Sequence, residues 1–195
     1  MQYLSQRLAS EPAKAREARP PRGPVGASQR ERLLDATEQL IAEKGCAGTS
    51  IEAIVKAAKV SSVTFYEHFE DKEACFVAAF DRVVAALRDA VPREMQGLGG
   101  ARQALAALLS AIDAEPRRAR LCFVEAPKGG PRLSARYEET LDAVAGELAD
   151  PLGQAIVGGI AWLLRERLEL GGGDGVGDLL PKMTEIVLEP YLANA

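Results

Sequence analysis

Two short amphipathic segments, separated by a three-residue turn, constrain the fold of this chain more than any other feature. In residues 50–58, apolar side chains recur at three- and four-residue steps, which predicts a helix with one buried face. Thr49 and Glu52 have the spacing of a capping box, so this helix is expected to begin at Ser50. A second helix is expected to follow Ser61, a favourable N-cap residue. Its apolar positions are Val63, Phe65, Tyr66 and Phe69. Two short helices joined in this way predict a helix-turn-helix.

A longer run of residues around the turn has fixed spacings. Its positions are Gly45, Thr49, Ser50, Ile51, Ile54, Ala58, Val60, Ser61, Phe65, Tyr66, His68, Phe69, Lys72 and Glu73. Together they resemble the amino-terminal signature of the tetracycline-repressor (TetR) family, and the resemblance extends over about residues 28–87. Lys59 departs from the pattern, because the family usually has glycine in this turn, where a positive φ costs glycine nothing.

The resemblance implies an all-α protein with about nine helices. A three-helix DNA-binding domain of the helix-turn-helix type is expected over residues 28–90, and a larger helical domain for ligand binding and dimerisation over residues 91–195. The residues agree with this class, since no segment alternates apolar and polar side chains with a period of two. Ser28 is expected to cap the first helix, which ends at Gly45.

The remaining helix boundaries follow from proline, glycine and acidic residues. Asp71 is expected to cap a long helix from Lys72 to about Val91, which links the two domains. In the second domain we expect helices over residues 101–114, 116–127, 131–149 and 151–170, and a last helix capped by Asp178.

Residues 1–27 have a composition typical of a disordered basic tail, with four prolines and a net charge of +3 from five basic and two acidic side chains. Two interpretations stay open. The tail either follows DNA phosphates or the minor groove as a basic arm, or it is an extension without a function.

The chain as a whole has a net charge of −4, and residues 28–80 hold six basic and nine acidic side chains, a net charge of −3. The expected DNA-binding domain is therefore formally acidic. Phosphate binding depends on which face carries the charges. We expect the first helix to direct its acidic side chains away from DNA; they are Glu31, Asp35, Glu38 and Glu43.

The second helix of a helix-turn-helix enters the major groove with its first residues. By this position, Ser61, Ser62 and Thr64 are the expected base or phosphate contacts. The resemblance implies further phosphate contacts. Together with residues in the turn and at the starts of helices, the candidates are Thr49, Ser50, Lys59, Tyr66, His68 and Lys72. Each of these residues also has an interpretation without DNA. Thr49 and Ser61 are expected to cap helices whether or not they contact DNA, and the alternative for His68 is an exposed residue without a role.

The resemblance also implies a small-molecule pocket among the middle helices. The expected lining is mostly aliphatic, which suits a hydrophobic effector, with Arg120 or Glu125 as a polar anchor. The candidate residues are Leu105, Leu108, Leu109, Ile112, Arg120, Phe123, Glu125, Tyr137, Leu141 and Trp162. The alternative for each is an ordinary place in the core.

The last two helices are expected to form a homodimer interface, since small residues permit close approach and the first of the two is apolar almost all round. The interface candidates are Ile156, Gly159, Ile160, Leu163, Ile186 and Tyr191. A monomeric bundle core is the alternative.

These features predict a DNA-binding transcriptional regulator: a homodimeric repressor that binds a palindromic operator in double-stranded DNA and is relieved by a ligand. The alternative is a binding module without an effector, acting constitutively on DNA or through a protein partner. No catalytic residues, metal site or cofactor are expected. The three isolated cysteines indicate buried thiols in a reducing cytoplasm, and no segment predicts a signal peptide or membrane span.

Overall fold

The computed structural model describes residues 23–92, 97–148, 152–170 and 175–192. These residues form nine α-helices and contain no β-strand, which confirms the all-α prediction. The helices are α1 (Gly23–Gly48), α2 (Ile51–Ala58), α3 (Ser62–His68), α4 (Lys72–Ala90), α5 (Gly97–Ala114), α6 (Pro116–Arg120), α7 (Pro131–Glu147), α8 (Gly153–Leu170) and α9 (Leu180–Leu192).

Helix α1 begins at Gly23, five residues before the predicted start at Ser28. Pro24 sits in the first turn, where a fixed φ and a missing N–H are both tolerated, so the helix extends backward through residues assigned to the tail. Residues 1–22 of the predicted tail lie outside the described residues. At its other end α1 is interrupted at Gly45, whose φ of 71° confirms the predicted stop.

The core of the amino-terminal unit is formed by α1, α2, α3 and the first half of α4. Fully buried side chains from each helix meet there: Leu33, Leu34, Ile41, Ile54, Phe65, Phe76 and Phe80. The apolar core continues without interruption into the second domain through Leu109, Ile112, Leu121 and Leu133. Helix α4 therefore contacts α1 and also α5 and α7.

Helix α6 continues past Arg120 as a π-helical turn, Leu121–Glu125, and then as a 3₁₀ turn, Ala126–Lys128. Together they agree with the predicted helix over residues 116–127. The π turn is apolar on nearly every side, and four of its side chains are buried: Leu121, Cys122, Phe123 and Val124.

The last helix begins differently from the prediction. A 3₁₀ turn, Gly177–Leu179, precedes α9, and the Asp178 carboxylate does not cap the helix but accepts a hydrogen bond from Arg167 Nη1 at 2.6 Å. The backbone N–H of Val176 donates to Asp113 Oδ1 at 2.7 Å, so the chain is anchored here by an acidic residue of α5.

Candidate nucleic-acid interface

The turn between α2 and α3 is closed by backbone hydrogen bonds around a left-handed residue. Lys59 has φ 54° and ψ 48°, the conformation that glycine adopts without strain. Its N–H donates to the Lys56 carbonyl at 3.3 Å, and the Val60 N–H donates to the Val55 carbonyl at 3.0 Å. This is the Schellman pattern, so lysine is accommodated in the usual turn geometry.

Both short helices are capped by serine hydroxyls. Ser61 Oγ accepts from the Thr64 N–H at 3.0 Å, which confirms the predicted start of α3. For α2 the cap is Ser50, whose Oγ accepts from the Ala53 N–H at 3.2 Å. The predicted capping box at Thr49 is wrong, because the Thr49 hydroxyl is buried and donates to the Gly45 carbonyl at 2.8 Å.

Helix α3 buries one narrow stripe and exposes the rest. Phe65 and Phe69 enter the core, whereas Val63 is 70% exposed and Tyr66 is 59% exposed. The prediction that all four form one apolar face is therefore wrong for Val63 and Tyr66. The signal was available, since steps of about 100° per residue set Val63 and Tyr66 well away from the line through Phe65 and Phe69.

The predicted contact residues do not all reach the surface. Ser50, Lys59, Ser61, Ser62 and Tyr66 are exposed, and Thr64 is half-buried with its hydroxyl 3.0 Å from Ser61 Oγ. The structure contradicts a phosphate contact through the Thr49 side chain, which is buried.

The two remaining candidates for phosphate contact, Lys72 and His68, both lie against other parts of the protein. Lys72 Nζ donates to the Thr49 carbonyl at 3.1 Å and lies 5.4 Å from the centre of the Phe76 ring. His68 is half-buried, and no described group hydrogen-bonds to its Nε2. The Thr49 carbonyl thus takes one of the three ammonium protons of Lys72.

Three acidic side chains of α1 form ion pairs with one arginine of α4. Arg82 contacts Glu31 and Asp35 at 2.7 Å and Glu38 at 2.6 Å. Burial alone lowers the pKa of the Arg82 guanidinium, but the hydrogen bonds that it donates to Glu38 and Glu31 raise this pKa on balance. Three of the four α1 carboxylates thus pair with α4, and the fourth, on Glu43, accepts from Gln39 Nε2.

A second arginine, Arg132 at the start of α7, binds the acidic residues that follow α3. Its Nη1 and Nη2 donate to Glu70 and Asp71, and its Nε donates to Glu73 Oε2 at 3.2 Å. These hydrogen bonds raise the pKa of Arg132. The Ala74 N–H, and after it Arg132, lower the pKa of Asp71, which caps α4 as predicted. Nothing in the sequence identified Arg132, because its partners are 59 to 62 residues away.

The predicted ligand-pocket residues separate into three groups. Leu105, Leu109, Ile112, Phe123 and Tyr137 are buried, and burial raises the pKa of Tyr137 to about 12. Leu108 and Leu141 are partly buried against the same core. Trp162 is 50% exposed on α8, so its assignment to the pocket is wrong.

Both predicted polar anchors are used between helices. Arg120 Nη1 donates to the Leu168 carbonyl at 3.2 Å. Glu125 Oε2 accepts from the Cys46 N–H at 3.2 Å, which joins the second domain to the end of α1. A shallow open groove lies elsewhere, between α4 and α7, and none of the predicted pocket residues lines it.

The predicted dimer face is only partly at the surface. Ile156 and Leu163 are buried within the chain's own core, so they do not present a face to a partner. Gly159, Ile160 and Ile186 are half-buried, and the Tyr191 side chain lies outside the described residues. The exposed residues of α8 include two small residues and one aromatic ring, Ala155, Gly158 and Trp162, beside Gln154, Glu166, Glu169 and Leu170.

The three cysteines are free and buried, as expected for structural thiols. Among the described residues, no group of three or more histidine, cysteine or acidic side chains has the arrangement to hold a metal ion. In the same part of the chain, no helix combines the length and apolar character needed to cross a membrane.

Comparison with known proteins bears on the amino-terminal unit first. The family model for bacterial regulatory proteins of the tetR family matches residues 33–79, which run from within α1 to within α4 and contain the whole helix-turn-helix. Over this segment the chain has the sequence of a TetR-family helix-turn-helix unit. The TetR signature at Gly45–Glu73 thus coincides with the matched segment.

Curated relatives match the same region. The transcriptional repressor NemR of Escherichia coli K12 is 36% identical over 67 residues, which is 34% of each chain. The transcriptional regulator HbdR of Aromatoleum sp. strain CIB is 30% identical over 70 residues, 36% of this chain and 31% of that protein. The match thus spans about a third of the length of these relatives.

Solved structures resemble nearly the whole fold. The fatty acid degradation regulator FadR of Bacillus halodurans has a TM-score of 0.68 at 19% identity, covering 81% of this chain and 97% of that one. FadR of Bacillus subtilis, in complex with stearoyl-CoA, has a TM-score of 0.66 at 17% identity, covering 80% and 96%. At these identities the likeness concerns the fold alone.

Proposed function

We propose that this chain is a TetR-family transcriptional regulator that inserts α3 into the major groove of double-stranded DNA. The observation that carries the proposal is the exposed face of α3, which presents Ser62, Val63 and Tyr66 while Phe65 and Phe69 anchor the helix from behind. A short helix that exposes a valine and a tyrosine leaves apolar surface that its own fold does not use. Lys56 and Lys59 flank this face and supply cations for phosphates.

The proposed regulator is a homodimeric repressor of a palindromic operator. A two-fold dimer sets two recognition helices about one DNA turn apart, roughly 34 Å. The exposed part of α8 supports this arrangement, because Ala155 and Gly158 allow a second helix to approach closely beside Trp162. A Cβ added at Gly158 meets no atom of the chain within 4 Å, so this surface has room for a partner.

Relief by a hydrophobic effector is the finer part of the proposal. This part rests on the buried, mostly aliphatic side chains of α5, the π turn and α7, which are the groups that an apolar ligand would contact. FadR of Bacillus subtilis binds stearoyl-CoA in its solved complex, so an acyl-CoA series is the first set of probes. Release of DNA by one chain length and not by free CoA is the expected result, and indifference of the DNA complex to the series contradicts this part alone.

Selection of bound fragments from random duplex DNA by the full chain tests the proposed function. An enriched inverted repeat is the expected result, whereas no enrichment even at low salt refutes DNA binding. Lys59→Ala should then weaken binding to every sequence and lower the slope of log affinity against log salt by about 0.9. Arg88→Ala is the matched control, because Arg88 lies sixteen residues beyond Lys72 on α4, roughly 24 Å farther along the helix.

A further inference from the structure

The DNA-facing end of the protein contains more acids than bases. Residues 49–73, which hold α2, α3 and the start of α4, carry three lysines and five carboxylates, a net charge of −2. Three of those carboxylates, on Glu70, Asp71 and Glu73, come directly after α3 and beside Lys72. Phosphates that approach Tyr66 and Lys72 therefore meet a concentration of like charge, unless another group neutralises it.

A cation that offsets part of this charge comes from α7. Arg132 donates to all three carboxylates, and its backbone N–H donates to Glu73 Oε1 at 2.8 Å. The backbone is shaped to permit this, since Gly130 has φ 111° and a Cβ there would lie 2.7 Å from Glu73 Oε1. A planar guanidinium with five donors suits three acceptors around one centre.

We propose that Arg132 is a positioning residue for DNA binding: it holds Glu70, Asp71 and Glu73 turned toward α7 and offsets part of their negative charge, so that phosphates can approach the end of α3. This inference rests on the proposed function. The DNA-binding domain is then electrostatically incomplete without a residue of the second domain. Separation of α7 from α4 withdraws the cation and lowers DNA affinity, which gives the second domain control of binding through charge.

Salt dependence distinguishes this role from a purely structural one. The Debye length is about 10 Å at 0.1 M salt and about 3 Å at 1 M, so repulsion between exposed carboxylates and phosphates is strong only at low salt. For Arg132→Gln we expect affinity for the selected operator to fall about tenfold at roughly 50 mM salt and less than about twofold at roughly 500 mM. Arg132→Lys keeps the charge and should restore most of the loss.

Arg136→Gln is the matched control on the same helix. Arg136 pairs with Asp81 at 2.7 Å and with Glu139 at 3.3 Å. Asp81 lies nine residues after Lys72, roughly 14 Å farther along α4 from α3. This substitution removes an exposed arginine with two carboxylate partners, yet it should change DNA affinity less than about twofold.

A double-mutant cycle with Glu70→Gln tests the mechanism directly. Glu70 is exposed and caps no helix, so its replacement is expected to preserve the fold. If Arg132 acts by neutralising carboxylates, Arg132→Gln should lose clearly less affinity in the Glu70→Gln background than in the native chain. An equal loss in both backgrounds, or at every salt concentration, overturns the proposal in favour of a direct phosphate contact or a structural effect.

The two proposals fail in different ways. If the native chain selects no DNA, the proposed function falls and this inference falls with it. If the native chain selects an operator and Arg132→Gln binds it equally well at low salt, only the present inference is overturned. Thermal unfolding of each variant accompanies the titrations, and Arg132→Lys with Glu70→Gln decides the question should Arg132→Gln not fold.

Discussion

Glu38 of α1 is a buried carboxylate that forms ion pairs with arginines of two other helices, α4 and α6. Its replacement by glutamine tests how much these ion pairs stabilise the fold. Its side chain is 7% exposed and accepts from Arg82 of α4 and from Arg118 Nε of α6 at 2.9 Å. Glu31, on the same face of α1, contacts the same Arg82 but is 55% exposed. The two glutamates therefore differ mainly in burial, which makes Glu31→Gln a matched control.

The expected magnitudes follow from that difference. Breaking a fully buried ion pair costs about 3–5 kcal/mol. The guanidiniums of Arg82 and Arg118 are 23% and 35% exposed, so water can solvate them in part. For Glu38→Gln we therefore expect a loss of about 2 kcal/mol in the free energy of unfolding, or about 4–8 °C in Tm for a chain of this length. For Glu31→Gln the loss should stay below about 0.5 kcal/mol.

Urea denaturation followed by circular dichroism measures both variants against the native chain at one protein concentration. Because Glu38 joins α1 to α6, the variant should also broaden the transition as the two domains unfold less cooperatively. Equal destabilisation by Glu31→Gln and Glu38→Gln would refute the reasoning, since burial would then not decide the strength of the interaction.

Two further predictions concern the surface and the core. Val63→Ala should leave stability within about 0.5 kcal/mol because the side chain is exposed, yet reduce the preference for thymine over uracil about threefold at one operator position, measured with uracil-substituted DNA. A uracil effect that persists in the variant would contradict a valine–methyl contact. Burial raises the pKa of Cys46 and Cys122 to about 12 and that of Cys75 to about 11, so at pH 8 a thiol reagent should label these residues only after denaturation. Thiols with a raised folded pKa contribute their full stabilisation below their ordinary value of 9.0 and lose it as the pH rises toward the folded values, so the urea midpoint should fall from pH 9 upward. Rapid labelling of the folded protein would contradict their burial.

Short-range chemistry explains what could be predicted from the sequence. The caps at Ser61 and Asp71, the stop at Gly45 and the proline start of α7 depend on groups within a few residues of one another, and all are found where predicted. Thr49 and Ser50 are adjacent hydroxyl residues, and local spacing alone favours the first. Burial of Thr49 against α1 selects the second, which is a tertiary effect that local spacing does not contain.

Long-range contacts explain what could not be predicted. Glu125 is a residue type that suits a pocket anchor, yet its Oε2 accepts a hydrogen bond from the N–H of Cys46, 79 residues earlier. Trp162 matches a pocket residue by type, but its position on α8 turns it toward solvent. The spacing of apolar residues predicts a helix and the side of it that is buried. The partner of each polar group depends instead on how the helices pack against one another, which the spacing does not contain.

The contact between Glu125 and the end of α1 has a consequence for protein engineering. A Cβ at Gly45 would lie 2.8 Å from Glu125 Oε2, so the Glu125 carboxylate packs directly against the backbone at the end of α1. A chimeric sensor made by joining this DNA-binding head to an unrelated effector domain at about residue 92 would lack that carboxylate. A graft must therefore reproduce a contact between the domains as well as the chain junction. The new effector domain needs a hydrogen-bond acceptor for the Cys46 N–H at the position of Glu125.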